Sequence, residues 1–435
     1  MNLSDTPPAS PHPGFPAHSR RWPWIVCVIL LFATLLSYLD RQSFSVMAPV
    51  IEEELQLNNE RLGLVLSAFY FSYGLMHLFV GIFLDRLNIR WTYAVFVLLW
   101  SLAQLSTGLA QTFVALFACR FALGVFEAAG QTGAARIIAR IIPKSDRTLA
   151  NGIMMSGGSL GALLAPPLMI LLHQTVGWRA GFAILGFFGF IWVSVWLVLF
   201  RPGPEVLGGR NVQMPAAGPG GEWRIILRDP RFRACAAGAM FGIPIIHVAG
   251  AWLPTYFVQK WGLGLKTDLA IYLTLIYLAF DISLIASGII VSRAVRRGVP
   301  VGRARKYVLL VAGLLMGSAA FIFAAPTVGF AVGLMFLMNL GRAAFGSIFL
   351  SFNQEISSRH VGSIAGIMGA IGAFSGSALI YLIGRLTTHG GFGLPFIIVG
   401  CLGILGTASL LWVDWDGGDA SPTSPPSASP AQSEG

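Results

Sequence analysis

The chain has 435 residues, of which 55% are hydrophobic and only 11% charged, with a formal net charge of +10. A water-soluble fold of this length has no use for so apolar a composition, so a soluble globular protein is excluded. Long apolar runs occupy residues 24–50, 62–84, 91–110, 112–140, 149–172, 180–200, 234–258, 268–292, 306–325, 327–351, 361–384 and 392–413. Each is long enough to cross roughly 30 Å of hydrocarbon as a helix. None alternates in the manner of a barrel strand. The fold expected is an all-α membrane protein of twelve transmembrane helices.

Charge placed inside such runs is costly, roughly 2.5–3.5 kcal/mol per residue on insertion scales. The first run nevertheless contains Asp40 and Arg41, and the fourth contains Arg120 and Glu127. Groups of this kind face the protein interior or a water-filled cavity. Arg120 and Glu127 are about two helical turns apart and share a face. Asp40 and Arg41 are adjacent, so they point in different directions around their helix. The structural alternative is a fixed ion pair, Asp40 with Arg120, tying the first helix to the fourth. Arg120 keeps its proton and needs a partner, either an acid or a bound anion. For Glu127, desolvation favours the neutral carboxyl and neighbouring guanidinium groups favour the charged one. A permanently paired Glu127 is the structural alternative to one that exchanges a proton.

The basic residues sort by side. With the N-terminus inside, Arg61, Arg179, Lys260, Lys266 and Arg385 are the ones expected outside, and Arg41, Arg120 and Arg342 lie within runs. The rest are cytoplasmic, which places both termini in the cytoplasm. The excess positive charge thus reports orientation, and a nucleic-acid partner is not expected. Glu52, Glu53 and Glu54 read as a solvated face just beyond the first helix. Cys27, Cys119, Cys235 and Cys401 fall in apolar runs without metal-ligand spacing, so they read as packing residues, with no metal or cofactor.

A Gly/Pro-rich stretch over 202–230 divides the runs six and six. The expected organisation is a disordered tail at 1–21, a six-helix bundle at 22–201, a cytoplasmic linker at 202–230, a second six-helix bundle at 231–413 and a tail at 414–435. The halves echo one another. GIFLDRLNIR from Gly81 matches GIIVSRAVRRG from Gly288, RFALG from Arg120 matches RAAFG from Arg342, and NGIMMSGG from Asn151 matches AGIMGAIG from Ala365. Three matches in the same order point to a duplication and a pseudo-symmetric pair of bundles. Arg342 is thereby the repeat mate of Arg120, while Phe349 stands at the position matching Glu127. A cation without an acid favours an anionic ligand; a guanidinium capping a carbonyl is the structural alternative.

GIFLDRLNIR and the GGSLGALLAPP stretch from Gly157 resemble the major facilitator superfamily, with Asn88 where Gly is usual. YLDR at 38–41, the Arg120/Glu127 pair, WLPTYF at 252–257 and AFDISLIASG at 279–288 resemble its anion:cation symporter branch of sugar-acid, hexuronate and organic-anion transporters. The resemblance covers roughly residues 22–413. It implies a multi-pass protein of the bacterial inner membrane that carries a small organic anion with a proton by alternating access, as a monomer and without enzymatic activity. It implies Asp40 and Glu127 as proton carriers and Arg41 as the contact for a substrate carboxylate. It implies that Arg120, Arg342, Tyr38, Tyr73, Asp281, Trp252 and Tyr256 line the substrate cavity. For the tyrosines the alternative is packing, for Asp281 structural hydrogen bonding, and for Trp252 and Tyr256 an aromatic belt at the membrane surface. His247 reads as a satisfied interior histidine. Asp85, Arg86 and Arg90 are implied as a charge lock between bundles that stabilises the outward-facing state; Ser292 lacks the acid in the second copy. Gly158 and Gly369 stand where galactonate-type members are polar, which suggests fewer partners for a polyol tail.

Three other readings compete. Organic-phosphate antiport relies on cations in helices one and seven, yet helix seven has Arg231 and Arg233 only at its start. Sodium can replace the proton. A membrane sensor would bind the anion without moving it.

Overall fold

The computed structural model describes residues 21–143, 146–201, 221–357 and 360–415. Every regular element among the described residues is helical. The first half contains α1 (Trp22–Glu54), α2 (Asn59–His77), α3 (Val80–Arg86), α4 (Ile89–Leu109), α5 (Phe113–Glu127), α6 (Ala129–Ile141), α7 (Arg147–Val176) and α8 (Trp178–Leu199). The second contains α9 (Gly221–Arg228), α10 (Pro230–Phe241), α11 (Ile243–Trp261), α12 (Thr267–Arg296), α13 (Val301–Gly317), α14 (Val328–Glu355), α15 (Val361–Gly390) and α16 (Gly393–Leu411), with a 3-10 helix over Ser318–Ala324. Residues 221–228, within the stretch read as linker, are thus helical; the remainder of that stretch up to 220, and both tails beyond 20 and 415, lie outside the described residues.

Eleven segments are long and apolar enough to cross a membrane. The twelfth run, at 62–84, is a helix interrupted at Leu78–Phe79 into α2 and α3. Two further spans are broken and continue. One breaks at Ala128 between α5 and α6, immediately after Glu127, and the other at Gly242 between α10 and α11. Interrupted backbone at membrane depth is tolerated where protein covers it. Here it falls beside the buried charges.

Small residues let the helices touch through their backbones. A side chain at Gly157 or Gly161 of α7 would run into the Leu31 and Leu35 carbonyls of α1. That one-turn spacing seats α7 along α1 and fixes which face of α1 looks into the molecule. The buried face of α5 carries Leu116, Arg120, Leu123, Gly124 and Glu127, a spacing of three and four that makes one helical stripe. The sequence therefore places the two charged residues inward on the same stripe as Leu116 and Leu123.

The halves meet at one end of the molecule. There Gln259 of α11 donates to Glu52 (3.0 and 2.9 Å), and Asn59 exchanges hydrogen bonds with Gln259. Tyr381 donates to Glu60 at 3.0 Å, and the Glu60 N–H donates to Thr388 at 3.0 Å. Trp252 closes over the contact of Gly63 with Gly384. The seam continues through Ser377 donating to the Ser67 carbonyl (2.9 Å) and Gly74 packed on Ala373. The hydrogen bonds between described residues of the two halves thus lie at the Glu52 end and along this seam; none is found between described residues at the end where the described chain begins and finishes. Glu52 is therefore not the solvated residue the sequence suggested, because a second-half amide covers it.

Candidate substrate and coupling site

The buried charges gather midway along the helices, where the seam between halves stops. Asp40, Arg120 and Glu127 are 2%, 1% and 1% exposed, and Arg342 is 5% exposed. Arg41 of α1 reaches Glu127 of α5: its Nη2 lies 2.5 Å and its Nε 3.2 Å from Glu127 Oε1. Ser37, one turn before Arg41, donates to the same oxygen at 2.6 Å. The guanidinium is boxed by the rings of Tyr38, Phe69 and Tyr73, each 4.9 Å away. Glu127 Oε2 and Asp40 Oδ1 are buried without a hydrogen-bond partner.

The structural alternative, a fixed Asp40–Arg120 pair, is not what forms. No ion pair joins Asp40 to Arg120 among the described residues. Arg120 holds no carboxylate; its guanidinium sits over Phe44 at 4.6 Å and Phe69 at 5.0 Å, with Nε and Nη1 lacking hydrogen-bond partners. Desolvated cation–π contacts, at about 2 kcal/mol, take the place of the anionic partner. Arg41 takes Glu127 because both side chains project into one gap between α1 and α5.

From the second half, Arg342 of α14 donates through Nη1 to the Ile246 carbonyl at 2.9 Å and lies 4.7 Å from the Phe280 ring, while its Nε is buried and unpartnered. Asp281 of α12 lies beside Ser159 of α7 and in electrostatic reach of Arg342. Tyr73 packs on His77 at 4.4 Å as well as on Arg41. Trp252 and Tyr256 do not join this group. α11 runs past it toward the Glu52 end, so Trp252, about 7.5 Å further along than His247, donates to the Ile380 carbonyl at 3.2 Å. Tyr256 packs inside the second half against Phe392 and Phe396 and accepts from Trp261 at 3.1 Å.

Of the residues read as a lock, the side chain of Asp85 lies outside the described ones and Arg86 is exposed. Arg90 donates to the Leu197 carbonyl and lies 5.4 Å from the Trp91 ring, so both its contacts are inside the first half.

Sequence reasoning missed Ser37, Phe69, Tyr70, Gln42, Tyr277 and the interfacial setting of His247. His247 packs on Tyr70 at 4.3 Å across the halves, and Tyr277 of α12 donates to Gln42 of α1 at 3.3 Å. A spacing signal existed for most of them. Ser37 stands four before Arg41, Phe69 four before Tyr73, Tyr70 three before Tyr73 and Tyr277 four before Asp281, all positions that share a helix face. Gly158 also has a local reason: a Cβ there would sit 3.0 Å from the Tyr38 ring that boxes Arg41. Gly369 faces open space.

Apolar helices long enough to span a membrane, meeting over buried charges, suit a membrane protein that handles a charged ligand. The chain belongs to the Major Facilitator Superfamily, whose family model matches residues 30–380. It is similar to the probable sulfoacetate transporter of Cupriavidus necator, 29% identical over 404 residues that cover 89% of this chain and 92% of that one. It is also similar to the D-galactonate transporter of Escherichia coli O6:H1 (26% over 413 residues, covering 89% and 94%) and the hexuronate transporter of Escherichia coli K12 (25% over 406 residues, covering 89% and 93%). Solved structures share the fold: a bacterial homologue of the human lysosomal transporter Spinster (TM-score 0.70, 18% identity, covering 90% and 95%) and the nucleoside transporter NupG (TM-score 0.71, 14% identity, covering 89% and 99%). The protein is thus a multi-pass membrane transporter for a small molecule.

Proposed function

We propose that the protein carries a small organic anion, a sugar acid or another carboxylate, together with a proton by alternating access. The observation that carries this reading is Arg41 held by buried Glu127 at 2.5 Å, midway along the helices. A substrate carboxylate competes with Glu127 for the same guanidinium fork. The released Glu127 is then a buried, unpaired carboxylate, and taking up a proton relieves it. Charge balance points the same way. Asp40, Glu127 and Asp281 offset Arg41, Arg120 and Arg342 when all are ionised. Entry of a monoanion leaves one negative charge in excess, and one proton restores neutrality. Asp40, buried with an unpartnered oxygen, is the second proton carrier.

The Glu52 end holds Arg61, Arg179, Lys260, Lys266 and Arg385, few of the chain's 29 basic residues. We assign it to the outside by the positive-inside asymmetry, with both termini cytoplasmic in a bacterial inner membrane. The state described is then inward-facing, and Glu52, Asn59 and Glu60 with Gln259, Tyr381 and Thr388 form the outer gate. In that state Arg90 is released from any bundle-to-bundle lock, consistent with its side-chain contacts inside the first half. One chain completes the site from its own two halves, so a monomer suffices.

The test is uptake by proteoliposomes that contain only this protein. An inward proton gradient without sodium is expected to drive accumulation of labelled galactonate, glucuronate or sulfoacetate. Accumulation only under a sodium gradient would overturn proton coupling. Binding without uptake or exchange would make the protein a sensor.

A further inference from the structure

The exchange at Arg41 uses only the first half, yet the second half brings its own guanidinium. Arg342 is 95% buried, spends one donor on the Ile246 carbonyl and leaves Nε without a partner. No carboxylate lies within ion-pair distance of it among the described residues. Asp281 lies within electrostatic reach of it but makes no ion pair with it. A buried guanidinium with an idle donor is costly unless something anionic completes it.

Tyr38, Tyr70 and His247 each lie within electrostatic reach of both Arg41 and Arg342, so the two guanidinium groups flank one cluster. The residue after Ile246 is His247, which packs on Tyr70 at 4.3 Å; Tyr70 packs on Phe69 at 5.1 Å; and Arg41 lies 4.9 Å from the Phe69 ring. The Tyr277 to Gln42 hydrogen bond forms a second wall between the same two halves. The walls offer little to a polyol. The Tyr38 ring fills the position a side chain at 158 would take, and Gly369 presents none. Arg120, over the same Phe69 ring, also has idle donors but belongs to the first half with Arg41; Arg342 is the cation that the second half brings to this cluster among the described residues.

We propose that the substrate is a short dianion, with one anionic head on Arg41 in place of Glu127 and the other, a carboxylate or sulfonate, on Arg342. This rests on the organic-anion reading above and narrows its substrate class; by the same charge balance a dianion calls for two protons, one each on Glu127 and Asp40. Two charge-assisted contacts from opposite halves also give the ligand a means of drawing the bundles together.

The experiment is calorimetric titration of the purified full chain with sulfoacetate and malonate against acetate and galactonate. Both dianions are expected to bind at least about tenfold more tightly than either monoanion, from the added charged contact. Arg342→Gln is expected to bring the dianion-to-monoanion ratio close to one. Arg342→Lys keeps the charge and can still reach the Ile246 carbonyl, so it retains a dianion preference; it also decides the matter where the Gln variant fails to fold. Equal affinities in the wild type, or a ratio unchanged in Arg342→Gln, would overturn the proposal. Binding of monoanions alone would overturn it while leaving the organic-anion reading standing; binding of none of the four would overturn both.

Discussion

Glu127→Gln separates coupling from binding. In the structure Glu127 Oε1 accepts from Arg41 Nη2 at 2.5 Å, from Arg41 Nε at 3.2 Å and from Ser37 at 2.6 Å. A Gln carbonyl keeps all three contacts in shape but makes the two guanidinium bonds to a neutral acceptor. The guanidinium donor stays charged, so each bond moves down within the range of about 1.5–3 kcal/mol for bonds to charged groups rather than out of it, a loss of about 1 kcal/mol for each guanidinium contact and about 2 kcal/mol in all. An incoming anion must displace this partner from Arg41, so its affinity should rise by about ten- to thirtyfold. The proton step is absent, so gradient-driven accumulation should be lost. Counterflow of labelled for unlabelled substrate should survive, because exchange does not require the empty carrier to cycle. Both assays run on the same proteoliposomes, with calorimetry for affinity. Accumulation at the wild-type level together with an unchanged Kd would refute the reasoning, make Glu127 structural and move the proton role to Asp40.

Arg41→Ala should abolish anion binding by calorimetry, and it should also lower thermal stability, since removing one partner of a buried pair costs about 3–5 kcal/mol. Adding Glu127→Gln to it removes the stranded carboxylate and should recover much of the stability without recovering binding; recovered binding in the double variant would show that Arg41 is not the anion contact. Gly384→Leu should wedge the outer gate. A Cβ there already sits 3.0 Å from the Gly63 backbone and 3.1 Å from the Trp252 ring, and overpacking costs about 1–3 kcal/mol. Transport should fall, and Ser67→Cys, in a background without the four native cysteines, should be labelled faster by a membrane-impermeant thiol reagent from the outer side. Unchanged labelling would mean that this end does not gate.

The Pro166–Pro167 pair and the glycines of α7 show how much packing was written locally. GGSLGA carries its small residues one turn apart, and they meet the α1 backbone as such a stripe must. Composition likewise determined the membrane class, because about 20 consecutive apolar residues have no other stable setting. The duplication RFALG/RAAFG told that Arg120 and Arg342 occupy related places in two related halves.

What the sequence by itself determined is which residues are expensive to bury: Asp40, Arg41, Arg120, Glu127 and Arg342 stand in apolar runs, and helical spacing puts Arg120 and Glu127 on one stripe. Their partners were decided only by the tertiary structure. The sequence left Asp40 with Arg120 as one alternative; in the structure Arg41 holds Glu127 and Arg120 rests on Phe44 and Phe69. The same holds for Trp252, drawn to the gate, and for Gln42, Tyr277 and His247, drawn to the seam. A helical period fixes directions around one axis only. Which groups meet depends on the rotation and depth of each helix against its neighbours, and those are set by backbone contacts such as Gly157 on Leu31, far along the chain from the charges they bring together.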